Sequence, residues 1–101
     1  MYIPIFDDVK EAQKRISPYI LKTPVLTSSF MNELSGAELF FKCENFQKAG
    51  AFKVRGASNA VFGLSEEVAL KGVATHSSGN HALSLAYAAG QRGIPVTVVM
   101  P

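Results

Sequence analysis

The chain has 101 residues, 48% of them hydrophobic and 18% charged, with a formal net charge of +2. That length fits one small domain or a piece of a larger one, and the composition is too apolar for a disordered segment. The near-neutral balance and the dispersed basic residues argue against nucleic acid or an anionic membrane as a partner, while the lone Cys43 excludes an internal disulfide and a cysteine-only metal site.

In chain order, Asp7 is positioned to cap a helix from Asp8 to Ser17, with Val9, Ala12 and Ile16 at helical spacing. Pro18 and Pro24 bound an extended link. Thr27, Ser28 and Ser29 offer caps for a short helix through Leu34 that Gly36 ends, and Glu38 to Cys43 reads as a strand. After a loop from Glu44 to Ala51, a helix is predicted from Phe52 to Phe62, its buried side marked by Val54, Ala57, Val61 and Leu64. A polar stretch with Glu66, Glu67 and Lys71 leads to a strand, Val73 to Thr75. The loop His76 to Gly79 follows, then a helix of small residues from Asn80 to Gln91, broken by Gly93, and a strand from Pro95 to Met100.

The unit 73–100 is therefore strand, helix, strand, with two apolar strands of the kind found in parallel sheets and a right-handed crossover expected. This gives an α/β fold, in which Ala82, Ala86, Ala88 and Ala89 let the helix pack closely. No apolar run reaches the roughly 18 residues needed to span a bilayer. The N-terminus, with Asp7 and Asp8, lacks the pattern of a signal peptide. Cytoplasmic location is the default expectation. The chain stops at Pro101, directly after the apolar run 96–100, so a truncation is expected.

Two segments could carry chemistry. Ser77-Ser78-Gly79-Asn80 lies between a strand and a helix, where ligands sit in open α/β sheets. Hydroxyls, a glycine and an amide at a helix start could cradle a carboxylate or phosphate. Ser, Gly and Asn are also what ordinary helix starts prefer, so capping is the alternative. In Gly50-Ala51-Phe52-Lys53, Lys53 falls in a first helical turn, where positive charge is disfavoured by about 0.3 kcal/mol or more. A neutral amine there could attack an aldehyde; alternatively Lys53 is a solvated side chain whose stem covers apolar surface. His76 and His81 lack a third ligand nearby in sequence and are read as loop residues rather than a zinc site. Cys43 reads as a small buried apolar residue.

Taken together, residues 42–57 (KCENFQKAGAFKVRGA) and 75–81 (THSSGNH) closely resemble serine racemases and the related serine/threonine dehydratases, with similarity from Phe6 to Pro101. The stretch 39–57 resembles serine racemase and 3-hydroxyaspartate dehydratase more than biosynthetic threonine dehydratase. The resemblance implies the tryptophan-synthase-like fold of pyridoxal-phosphate enzymes. It implies that Lys53 binds the cofactor covalently and exchanges protons on one face of the substrate, with Phe52 against the cofactor ring and Asn80 bonded to its 3-hydroxyl oxygen. Ser77 and the loop through Ser78, Gly79, Asn80 and His81 would bind the substrate carboxylate, and Ser78 would face Lys53 from the opposite side.

The resemblance further implies that residues 1–65 open a large cofactor-binding domain and residues 66–101 open a small one. The phosphate-binding loop and the divalent-metal ligands would lie beyond Pro101, leaving no metal site within this chain. Ser28, Ser29 and Lys48 match nucleotide contacts of animal racemases. Ala49 and Leu83 stand where those enzymes have threonine and glutamine, so activation by ATP is not expected. The implied activity is an ammonia-lyase acting on serine, threonine or 3-hydroxyaspartate, with racemisation alongside, in a full-length homodimer. The alternatives are a β-replacement enzyme such as cysteine synthase, threonine synthase, or a non-catalytic fragment.

Overall fold

The computed structural model describes residues 2–101. Helix α1 spans Phe6–Ile16. The chain enters it extended at Ile5, and the Asp8 carboxylate accepts the Ile5 N–H at 2.7 Å. Asp7, expected as the cap, lies inside the first turn and pairs with Lys10 instead. The acid three positions into the helix is the one that can reach back to its entry. On the apolar side of α1, Ile16 is buried and Val9 is exposed.

Strand β1, Val25–Leu26, pairs antiparallel with β2, Phe41–Lys42, Val25 opposite Lys42 and Leu26 opposite Phe41. The strand expected over 38–43 is thus two residues long. Before it, the Leu39 N–H is bonded elsewhere, to Asn32 Oδ1 (2.8 Å), while after it the Cys43 N–H continues the ladder to the Pro24 carbonyl (3.0 Å). Between the strands, α2 covers Ser29–Ser35, capped by Ser28 and ended by Gly36 in the left-handed region, as its sequence suggests.

Two 3-10 turns, Glu44–Phe46 and Lys48–Gly50, lead to α3, Lys53–Phe62. The polar stretch that follows contains an unforeseen short helix, α4, Glu66–Ala69, whose cap is Ser65. Strand β3, Val73–His76, helix α5, Asn80–Arg92, and strand β4, Val96–Val99, complete the strand-helix-strand unit. The two strands are parallel, with Val73 opposite Val96 and His76 opposite Val99. Gly72 makes the tight entry possible: its φ is +81°, and a Cβ there would lie 2.7 Å from the Pro95 carbonyl oxygen.

The core forms where α3 packs on α5. Ala57 and Val61 meet Leu85 and Ala88, with Phe62, Val73 and Ile94 at the margin. Ala82 and Ala89 are also buried and Ala86 is half-buried, which allows the close packing expected of this helix. The core therefore draws on residues from both sides of position 65. Arg92 ties α5 to the end of α3 and to α4, donating to the Val61 carbonyl and, at 2.9 Å, to Glu66. Arg15 reaches Asn59 at 2.6 Å, and Tyr19 stacks on Phe62 with centroids 3.6 Å apart, holding α1 and the link after it to α3. The radius of gyration is 16.5 Å, against about 13 Å for a compact domain of this length. The openness agrees with the exposure of Phe30, Leu34, Phe40 and Met100.

Candidate active site

Lys53 is the first residue of α3 and is exposed to solvent. Its backbone is set from behind by Val54, fully buried, and by Ala51, also buried. Its Nζ lies 5.0 Å from the centroid of the Phe52 ring, and that ring is 59% exposed. A cleft of about 400 Å³ opens here, its lining including Phe52, Lys53, Arg55, Gly56, His81 and Leu85. It joins the start of α3 to the start of α5.

Between β3 and α5, the Ser77 N–H donates to the Val99 carbonyl (3.0 Å), and the Ser77 hydroxyl accepts the Gly79 N–H (3.3 Å). The loop is thereby fixed to the end of the parallel pair. No side chain caps α5, and the Leu83 N–H is the one that bonds back to the Gly79 carbonyl. The amides of Asn80, His81 and Ala82 therefore form the open end of a thirteen-residue helix, an arrangement that attracts an anion. No hydroxyl of this loop caps α5: Ser77 closes a turn and Ser78 caps nothing.

The expected site residues divide between two depressions. Phe52, Lys53 and His81 share the cleft. Ser78 and Gly79 line a separate depression of about 290 Å³ with Ala82, Leu83, Val98 and Met100. Asn80, at the first position of α5, is exposed. Ser28, Ser29 and Lys48 line neither depression. The Ser28 hydroxyl accepts the Met31 N–H, Ser29 opens α2, and Lys48 is exposed in a 3-10 turn. Among the described residues, no group of three or more His, Cys, Asp or Glu side chains could hold a metal ion.

A polar cluster behind Lys53 was not foreseen from sequence. Arg55 grips Glu44 with two bonds, Nε to Oε2 at 2.8 Å and Nη2 to Oε1 at 2.6 Å. The Thr23 hydroxyl also donates to Glu44 Oε1 (2.6 Å), and Lys42 donates to the Thr23 carbonyl (2.6 Å). The Arg55 hydrogen bonds, aided by the one from Thr23, hold the Glu44 carboxyl at about 2, well below its ordinary 4.5, despite partial burial. Beside it, buried Gln47 accepts the Leu21 N–H (2.9 Å) and donates to the Leu21 carbonyl (2.7 Å). The E-x-x-Q spacing of residues 44–47 was a usable signal, but its partners at residues 21 and 23 are remote in sequence.

The family model described as "Pyridoxal-phosphate dependent enzyme" matches residues 16–101. The chain belongs to that family. It is 66% identical to beta-hydroxyaspartate dehydratase of Paracoccus denitrificans (strain Pd 1222), over the whole of this chain and 32% of that protein. The structure of maize serine racemase superposes with a TM-score of 0.96 at 56% identity, covering 99% of this chain and 31% of that one. A threonine deaminase from T.th. superposes with a TM-score of 0.85 at 37% identity, covering 97% of this chain and 38% of that one. The chain thus spans about a third of the length of these relatives, and its fold is the mixed α/β fold of this pyridoxal-phosphate enzyme class.

The residues present fit the family's cofactor. An accessible primary amine stands beside an exposed aromatic ring in one cleft, and an uncapped helix start opens close by.

Proposed function

We propose that the whole protein is a pyridoxal-phosphate-dependent ammonia-lyase of a small hydroxy-amino acid, with 3-hydroxyaspartate or serine as first candidates, and that Lys53 is its cofactor lysine. The observation carrying this reading is the convergence of Lys53, Phe52 and His81 on one cleft, joined by the uncapped start of α5. The similarity to a beta-hydroxyaspartate dehydratase and to serine racemases supports the substrate class.

The cofactor, when bound, supplies an electron sink that makes the substrate α-proton removable. Lys53 would hold the cofactor through its amine, and would take or return the proton at Cα. Phe52 offers a flat apolar surface for the ring, and Asn80 an amide for the cofactor's 3-hydroxyl oxygen. Ser77 to His81 orient the substrate through its carboxylate, received at the open α5 amides. In this reading Ser78 holds or moves a proton on the side of Cα opposite Lys53, with help from a water or the cofactor phosphate, because an unperturbed hydroxyl is a weak base.

The proposal extends to the organisation of the longer protein. Residues 1–65 belong to a large domain and 66–101 to a small one. The exposed apolar side chains of this segment are covered by the remainder, and the segment alone is inactive. A cytoplasmic homodimer and a divalent cation bound by residues outside this chain complete the reading. No helix of the described residues is long and apolar enough to cross a membrane. ATP activation is not proposed, because Ala49 offers no hydroxyl and Leu83 no amide to a nucleotide.

The test uses the full-length protein. Lys53→Ala should lose the covalently held cofactor and all turnover, measured as ammonia with pyruvate or 2-oxobutyrate from serine or threonine, and with oxaloacetate from 3-hydroxyaspartate. Cysteine or threonine as product would point to replacement chemistry instead. Ser78→Ala should abolish racemisation and elimination from D-serine while sparing much of the elimination from L-serine. Equal loss toward both enantiomers would remove Ser78 from the proton transfer.

A further inference from the structure

Helix α3 begins with two cations in its first turn, Lys53 and Arg55, and no side chain caps it. Positive charge is disfavoured at that end of a helix, so this start needs support from outside. The approach adds strain: Ala49 has φ +58° and Gly50 follows at φ +67°, two successive left-handed residues within four positions of Lys53. Lys53 is itself exposed, and its amine lies over the ring of its chain neighbour Phe52. Its position therefore depends on how firmly the first turn of α3 is held.

The support is the Glu44 cluster. Arg55, in the same turn as Lys53, meets the Glu44 carboxylate through a two-bond fork, the geometry with the least freedom to rotate. The Thr23 hydroxyl donates at 2.6 Å to the same oxygen, Oε1, that Arg55 Nη2 bonds, and Thr23 is 5% exposed. Gln47 binds both backbone groups of Leu21, which anchors the 3-10 turns to the segment carrying Thr23. The chain before β1, the turns and α3 are thus locked through one carboxylate.

We propose that Glu44, through Arg55 and Thr23, is a positioning residue that fixes the first turn of α3 so that the Lys53 amine is aimed into its cleft. The proposal rests on the reading of Lys53 as the cofactor lysine. Arg55 lines that cleft beside Lys53 but Glu44 and Thr23 do not, so those two act on the amine only through Arg55 and the backbone that they hold.

The experiment strips the full-length protein of cofactor, adds pyridoxal phosphate, and follows covalent attachment at Lys53 by absorbance, with borohydride reduction and mass analysis to confirm the residue. Arg55→Lys keeps the charge but loses the fork, and Glu44→Gln keeps the shape but loses the charge. Each should slow attachment about tenfold or more, the scale expected when a reacting group is displaced by a fraction of an ångström. Thr23→Val should slow it about threefold. The value of kcat should fall with the attachment rate, while KM for the amino acid changes less than about twofold, because the carboxylate is received at α5. The double variant should be no slower than the slower single one.

A purely structural role would lower the folded fraction and the thermal midpoint but leave the attachment rate per folded molecule at the wild-type value, and that result overturns the proposal. Thr23→Val, the mildest change, keeps the test decisive if either charged-pair variant fails to fold. Lys53→Ala separates the two readings. Attachment that survives in it removes the cofactor role of Lys53 and the positioning role together. Attachment lost in it, with normal rates in the Glu44, Arg55 and Thr23 variants, removes the positioning role alone.

Discussion

The starts of α2 and α4 differ from those of α3 and α5 in a way that sorts scaffold from site. At α2 the Ser28 hydroxyl accepts the Met31 N–H, and at α4 the Ser65 hydroxyl accepts the Val68 N–H. Helix α1 is closed from within by Asp8, and α1 and α4 also carry acidic residues in their first turns. Helices α3 and α5 have neither a side-chain cap nor a first-turn acid. An absent cap costs about 1 kcal/mol at an ordinary helix. The two helices that forgo it are the two whose starts border the Lys53 cleft. Open amides and the positive end of the helix dipole remain there for a ligand, and stability comes instead from packing of α3 on α5 and from the Glu44–Arg55 pair.

Closing the open start of α5 should break the contrast most visibly. Gly79 has φ −130° and ψ −149°, at the margin of the extended region, and a Cβ there meets nothing within 4 Å. In the full-length protein Gly79→Asp should add a few tenths of a kcal/mol of stability by capping α5, and about 0.3 kcal/mol or more through its charge at the helix start. It should also raise KM for the amino acid about tenfold or more, because its carboxylate takes the substrate's place and repels it. Gly79→Asn should give a smaller gain in thermal midpoint and a smaller rise in KM. A KM unchanged by Gly79→Asp would show that the α5 amides do not receive the substrate.

The support of α3 should fail in acid. The folded-state value of Glu44 is lowered from 4.5 to about 2, so its contribution is complete above pH 4.5 and is lost as pH falls from there toward 2. The loss should be on the order of 1 kcal/mol, a discounted figure because the pair is partly exposed to solvent. Glu44→Gln should flatten that part of the stability curve; an acid limb as steep as the wild type's would assign it to other carboxylates. At the capped starts, Ser28→Ala and Ser65→Ala should each cost about 0.5–1 kcal/mol and leave KM unchanged. Thermal melts alongside initial rates would check both.

How much of this could be read from sequence depended on whether the deciding contact was local. Helix α2 and the unit from β3 to β4 were legible because Ser28, Gly36 and Gly93 punctuate them within one turn. Helix α4 carried a signal too, Ser65 followed by Glu66 and Glu67, but four residues give little periodicity to detect. The strand expected over 38–43 was too long because its extent is set by Val25–Leu26, a partner that the apolar run Leu39 to Phe41 does not reveal. At the site, Lys53 and the 77–81 loop stood out through residue type and motif. The Glu44 cluster did not, since Arg55 is 11 residues from Glu44 and Thr23 is 21 residues away.

The smallest expected effect lies in the interior of the same two helices. Ser58 on α3 and Ser84 on α5 are both fully buried, and neither hydroxyl has a hydrogen-bond partner among the described residues. An unpaired buried hydroxyl carries a desolvation cost of about 1–3 kcal/mol, and alanine is the better helix former by up to about 0.5 kcal/mol. Removing the oxygen leaves only a small void, which offsets part of the gain. Ser58→Ala and Ser84→Ala should therefore each raise stability by a few tenths to about 1 kcal/mol in the full-length protein, read as a higher denaturation midpoint at unchanged slope. Ser→Val at either position should lower it, because one methyl takes the oxygen's place and a second must be fitted into a fully buried contact between α3 and α5. If Ser→Ala lowers stability instead, the hydroxyl has a partner outside these residues, and the interior of the two helices is shaped for a contact that the described residues do not themselves supply.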